Sequence, residues 1–326
     1  MDKAKTNDKY SRRQKIISLT PIIGLVLLLA LYVVIGLIKD INFKAGFEAI
    51  VNQSVILAIV ATGAIFIFTL GSFDISLGAS TLVSACAGGL IYNATGSVWL
   101  MLVACVAVSL IASLISSVLG SIFNLPVFVT TVAMMSVLSA ISEMLITGKG
   151  GNQIRITGLS GLENIWLKLI VLAIFSALCV FVFEFTKIGR RQKALGGNPV
   201  CAKLTGISVK KYAILAFIMA GIGIGLGGFL TAIRASTITS GTAGDIGMNI
   251  FIAIVFGGMP ISGGPRSRIY AAIIGSFSIR ILSQILTMLL AAVPGANGIA
   301  QIVRAVFFLA MVYLASINYR TKMLPR

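Results

Sequence analysis

Histidine does not occur in this sequence, and acids are scarce: nine Asp and Glu in 326 residues, against 26 Lys and Arg. Without an imidazole the commonest general base and metal ligand is missing. The four cysteines, Cys86, Cys105, Cys179 and Cys201, stand at spacings that fit neither a metal site nor a disulfide framework. Three of them lie in apolar runs and read as small core residues. No phosphate loop of the G-x4-G-K-S/T form occurs, so any ATP chemistry belongs to another chain. Clustered acids, a nucleophile elbow and a metal or cofactor motif are missing too, which argues against a membrane-embedded enzyme. Charged residues make up only 11% of the chain, where a soluble domain carries about a quarter.

What the chain has is apolar sequence, 58% of its residues. Long apolar runs occupy 16–38, 49–70, 98–122, 127–146, 165–185, 212–233, 269–290 and 298–317, each sized for a membrane span. The run to residue 91 after a polar break, and a short run at 248–256, bring the count to ten. The first run is too long for a signal peptide and has no small-residue cleavage site before Lys39. The net charge of +17 is concentrated in the segments 1–15, 187–211, 266–268 and 320–326. With ten crossings all four fall on one side, as the preference of basic loops for the cytoplasm requires, so the excess speaks for a membrane rather than nucleic acid. The expectation is an all-α polytopic membrane protein of about ten transmembrane helices, some broken or short, with both termini cytoplasmic. A basic tail (1–15) precedes a single transmembrane domain (16–318), and 319–326 forms a second tail. The segments 147–164 and 234–247, the latter with Asp245, are expected outside. Lys168 is expected to snorkel to the interface.

The cytoplasmic segment 187–211, KIGRRQKALGGNPVCAKLTGISVKK, carries seven basic residues and no acid. Asn198-Pro199 is a helix-start signal, with Asn198 at the cap and Pro199 in the first turn, and Gly206 suits the stop. The segment is either a topogenic loop alone or a short helix presented to a cytoplasmic partner.

Two further stretches break the apolar pattern. In TLGSFDISLGAS, Asp74 sits amid apolar runs between Gly71 and Gly78. An aspartate facing lipid costs about 2.5–3.5 kcal/mol, so it must face water, protein or a cavity. A helix cap over residues 75–77 and a functional charge both explain it. In GGMPISGGPRSR (257–268), glycine pairs and two prolines preclude a regular lipid-facing helix. The two stretches echo one another at Gly71/Gly257, Ile75/Ile261, Ser76/Ser262 and Gly78/Gly264, the kind of internal repeat that marks a transport path. GIGIGLGG (221–228) follows no strand and precedes no Gly-Lys-Ser/Thr, so its glycines are expected to pack helices closely.

ALGGNP-x2-A-x-L-x-GI-x-V-x-K at 194–210 resembles the cytoplasmic loop of ABC-importer inner-membrane permeases of the ribose/pentose/autoinducer-2 type, within the branched-chain amino acid/ribose permease superfamily. The stretch around Asp74 resembles that family's GG-x-DLSVG signature, with Ser72 and Ile75 as departures. NLPVFVTT is similar to its N-x-P-P-F-I-x-T, with Val127 replacing the second proline, and 257–268 matches LGG-x3-SGG. Asn249 stands where relatives often carry an acid, so an ion pair is not carried over to it.

The resemblance implies a coupling loop that seats in an ATPase cleft through Gly196, Gly197, Asn198, Ala202 and Gly206. It implies a path or signature set of Gly71, Asp74, Ser76, Gly78, Phe128, Thr130, Thr131, Gly257, Gly258, Ser262, Gly263 and Gly264. Ordinary packing explains Phe128, Thr130 and Thr131 as well. Its partners would be a cytoplasmic ABC ATPase subunit, an extracytoplasmic solute-binding protein and a second permease subunit in a bacterial inner membrane, with no cofactor or metal. The competing class is a stand-alone secondary transporter or channel, which needs coupling-ion sites; Asp74 is the one good acid candidate.

Overall fold

The computed structural model describes residues 2–40, 42–123, 125–148, 151–244, 246–291, 293 and 295–320, with side chains from residue 19 to 313 apart from 160, 297 and 311. Asp245 and the end of the second tail, 321–326, lie outside the described residues. Among the described residues twelve α-helices follow in order: α1 (Asp2–Ile38), α2 (Phe43–Thr69), α3 (Leu77–Thr95), α4 (Val98–Ile122), α5 (Val127–Thr147), α6 (Ile165–Val180), α7 (Lys187–Gly197), α8 (Pro199–Leu204), α9 (Val209–Ala235), α10 (Ile246–Phe256), α11 (Tyr270–Leu290) and α12 (Ala296–Arg320). The chain is an all-α polytopic membrane protein. Among the described residues seven helices are long and apolar enough to cross a membrane, and Ile246–Phe256 and Gly298–Ala310 are shorter apolar ones. The basic tail is helical, since α1 runs unbroken from Asp2 through Pro21.

Two helices form the heart of the bundle. α2 is buried along nearly its whole membrane length, and α9 packs across it with glycines where neighbours come closest. A Cβ on Gly221 would meet Leu110 and Ser113 of α4, and one on Gly225 would meet Val106 and Ser109. On Gly228 it would meet Ser84 and Thr81 of α3, so the glycine spacing serves packing against two helices at once. Hydroxyls bond across these contacts: Ser109 Oγ donates to the Gly221 carbonyl at 2.8 Å, and Ser84 Oγ to that of Cys105 at 2.9 Å.

At the end of the bundle where α2 begins, β1 (Ile154–Arg155) pairs antiparallel with β2 (Thr237–Ile238) and clamps the two connecting segments together. Lys168 lies near this end but does not snorkel. It is 0% exposed, and its Nζ donates to Asn52 Oδ1 of α2 at 2.9 Å, with Glu163 at 3.7 Å. Asn52 supplies the partner that solvent would have supplied, so burial wins.

At the opposite end, α6 continues as a π-helical turn, Phe181–Phe185, and leads into α7 through Thr186, whose hydroxyl accepts from the Ile188 amide at 3.1 Å. α8 follows the start signal read from sequence: Asn198 Oδ1 accepts from the amides of Val200 at 3.1 Å and Cys201 at 3.0 Å, with Pro199 in the first turn. Gly206 just beyond it has φ +78°. The helical form of 187–197 was not read from sequence, because its hydrophobic positions, Ile188 and Leu195, are too few to show a period.

Candidate functional site

α2 ends at Thr69, and the chain turns through seven residues before α3 starts at Leu77. Gly71 takes φ +72° in this turn, a backbone that a side chain would strain. The turn is one wall of a cavity of about 510 Å3. Phe73, Asp74 and Ile75 line it together with Gly78, Ala79 and Leu82 of α3, and Phe128, Met135 and Ser139 of α5. The opposite wall comes from Ser240, Ala243 and Gly244, from Gly247, Met248 and Phe251 of α10, and from Phe308 of α12. The segment after β2 reaches this depth because Gly78 has no side chain: a Cβ there would lie 3.0 Å from the Gly247 nitrogen and 3.2 Å from the Ala243 oxygen.

Asp74 is 5% exposed, and its Oδ1 accepts twice from Ser76, from the amide at 2.8 Å and the hydroxyl at 2.7 Å. It therefore braces the turn and lines the cavity at once. Ser76 stands behind it at the start of α3 and does not line the cavity. Thr131 fastens the same turn from α5: its hydroxyl bonds the Phe128 carbonyl at 3.1 Å and accepts from the Ile75 amide at 3.4 Å. Thr130 Oγ1 donates within its own helix, to the Val127 carbonyl at 2.8 Å. Of the three α5 residues that the motif groups, Phe128 alone reaches the cavity; Thr130 points about 160° away from it, and Thr131 on the same side is taken up by the Ile75 amide.

Aromatic rings close the cavity at the turn. Phe73 meets Phe68 edge-on at 5.3 Å and Phe251 at 5.1 Å, and Phe251 meets Phe308 at 5.2 Å. Phe251 and Phe308 were not found in the sequence, where nothing separates them from other phenylalanines of apolar helices. The chemistry available is an apolar aromatic surface with one carboxylate and a few hydroxyls, suited to brief contact with a small polar solute. Asn249, near it on α10, is buried, and its Nδ2 lacks a partner among the described residues.

The second signature, 257–268, does not line this cavity. Gly257 lies against the Ala271 carbonyl, where any Cβ would collide, and so lets α10 close on α11. Gly258 sits against the ring of Pro21 in α1. The two echoing stretches do meet, with a Cβ on Gly71 placed 3.0 Å from the Ser262 carbonyl oxygen. Gly263 and Gly264 lie against the end of α2, and Gly264 N donates to the Thr69 carbonyl at 2.9 Å.

The segment 187–211 adjoins this same spot. Gly196 packs on Thr69 and Gly264, and Gly197 on the Pro265 ring. Ala202 is 5% exposed and packs with Leu195 and Tyr212, so it faces inward. The large apolar side chains that α8 presents outward are Val200 and Leu204, 66% and 83% exposed.

The model of the family described as branched-chain amino acid transport system / permease component matches residues 46–316. The ribose import permease protein of Haemophilus influenzae is 23% identical over 273 residues, covering 80% of this chain and 84% of that one. The ribose import permease protein of Escherichia coli K12 is 26% identical over 283 residues, with 80% and 85% covered. The L-arabinose transport system permease protein of Escherichia coli K12 is 27% identical over 235 residues, with 69% and 68% covered. No solved structure matches the chain.

Proposed function

The chain belongs to the family of branched-chain amino acid transport system permease components, and from that premise we propose that it is the membrane-spanning subunit of an ATP-driven importer for a small sugar or sugar-like solute. Its relatives for ribose and L-arabinose support that solute class. An extracytoplasmic binding protein delivers the solute to the end that carries β1 and β2, and the cavity receives it. A cytoplasmic ABC ATPase docks on α7–α8 and drives alternation. A second permease subunit faces the open side of the cavity beside the exposed Phe128. In this reading ten helices cross a bacterial inner membrane, with α3, α10 and α12 as the shorter or more polar crossings, and both termini are cytoplasmic.

The observation that carries the proposal is the stacking of parts: a solute-sized cavity, a buried carboxylate on its wall, and the basic segment 187–211 directly beneath the same turn. A stand-alone transporter needs no docking surface and does need coupling-ion ligands.

Inverted vesicles holding the chain, its ATPase and the binding protein test this directly. Ribose, arabinose or fructose should move only with ATP and the loaded binding protein. Transport driven by an ion gradient, with ATP absent, would place the chain among secondary transporters.

A further inference from the structure

Three segments far apart in sequence meet backbone to backbone at the end of α2. We infer that Thr69–Gly71, Gly196–Gly197 and Gly263–Gly264 form a rigid joint that makes the ATPase-docking segment and the aromatic floor of the cavity one moving body. The inference rests on the proposed role of α7–α8 in docking an ATPase, and adds how a push there reaches the solute.

No side chain separates the three segments. A Cβ on Gly196 would overlap the Thr69 carbonyl oxygen and come within 2.8 Å of Gly264 N. One on Gly263 would collide with the carbonyls of Phe68 and Thr69 and with Gly71 N. Gly264, at φ +91°, turns its amide onto the Thr69 carbonyl. Contacts between backbones have no rotamers with which to yield, so such a joint shifts as a unit rather than sliding.

The docking side is held independently. Gln192 Nε2 donates to the Tyr212 carbonyl at 3.2 Å, Arg191 Nη1 to the Tyr212 hydroxyl at 2.6 Å, and Leu70 packs into the Leu195–Ala202–Tyr212 cluster. Leu70 and Phe73 lie in one short turn. Displacing α7–α8 therefore displaces the ring of Phe73 and the carboxylate of Asp74.

The test uses a cysteine-free chain with Gly197→Cys and Pro265→Cys, assembled with its ATPase and binding protein in vesicles. A short thiol-to-thiol bridge between the two positions should leave uptake of whichever of ribose, arabinose or fructose the unbridged complex transports. Loss of uptake on bridging, restored on cleaving the bridge, would show that the two sides part during transport and would overturn the joint. Gly263→Ala, on a segment outside 187–211, reads the same joint without chemistry. The ATPase should remain bound and keep its basal hydrolysis, while stimulation by the loaded binding protein and uptake fall about tenfold or more. Unchanged stimulation in a folded Gly263→Ala complex counts equally against it. Failure of the unmodified complex to transport with ATP strikes the functional proposal instead, and the unmodified control shows which has failed.

Discussion

Leu204→Ala isolates the docking face of α8. Leu204 and Val200 lie four residues apart on one side of the helix and are largely exposed, whereas Ala202 between them is packed inward on Leu195 and Tyr212. If α8 seats in an ATPase cleft, the leucine side chain leaves water on docking. Burial of such a side chain contributes about 2 kcal/mol, so truncation to alanine should weaken ATPase binding about thirtyfold. Lys203 is exposed on the same short helix but makes no ion pair among the described residues, so Lys203→Ala should bind like the wild type. Ala202→Asp behaves differently, since it forces a carboxylate into the permease's own cluster and should lower the melting temperature of the chain without any ATPase present. The assay is titration of purified ATPase onto the chain in nanodiscs, with thermal unfolding alongside. Wild-type affinity in Leu204→Ala would refute the assignment of the docking face, whatever Ala202→Asp does.

Asp74→Asn keeps an oxygen to accept from Ser76 and so should insert and fold normally, while uptake falls about tenfold if the charge serves the transport cycle; normal uptake would leave Asp74 only its bracing role. Asn52→Leu strips the direct partner from the buried Lys168 ammonium and should destabilise by about 3 kcal/mol, whereas Lys168→Met should be nearly neutral, both read by thermal unfolding in detergent. Gly225→Val should part α9 from α4, costing about 1–3 kcal/mol by the same measurement; an unchanged transition would mean that the helices are not tightly apposed there. In a cysteine-free background, cysteines at the exposed positions Gln153 and Gly241 should label from outside intact cells, and one at Lys203 should not. Labelling of Lys203→Cys from outside would invert the orientation and remove the docking proposal with it.

Local signals were legible where they act locally. The Asn198 cap, Pro199 in the first turn and the stop at Gly206 need only neighbouring backbone, and they stand where the sequence puts them. Asp74 was legible as shielded, because its desolvation cost holds whatever surrounds it. Which way a residue faces was not legible. Ala202 turns inward because Leu195 and Tyr212 sit beneath it, and Lys168 stays buried because Asn52 waits on a helix 116 positions away. Nor does the sequence state that the glycines at 71, 196 and 263 share one location. It marks each as a break or a close approach, and only the folded bundle shows that they approach one another.

The π-helical turn Phe181–Phe185 has a consequence for chain length. A π turn winds one residue more than an α turn, so these five residues hold one more than an α turn would while the chain beyond faces the same way. Removing a single residue from 181–185 therefore lets the turn rewind as α-helix and leaves Gly196 on the carbonyl it sits on. At the other end of the bundle, the connection around the two-residue strand is held more tightly, since Ile154, Ile156 and Leu159 are buried and the Ile156 amide donates to the Ser236 carbonyl at 2.7 Å. Single-residue deletions are thus absorbed beside the basic segment 187–211 and felt where the two connecting segments pair.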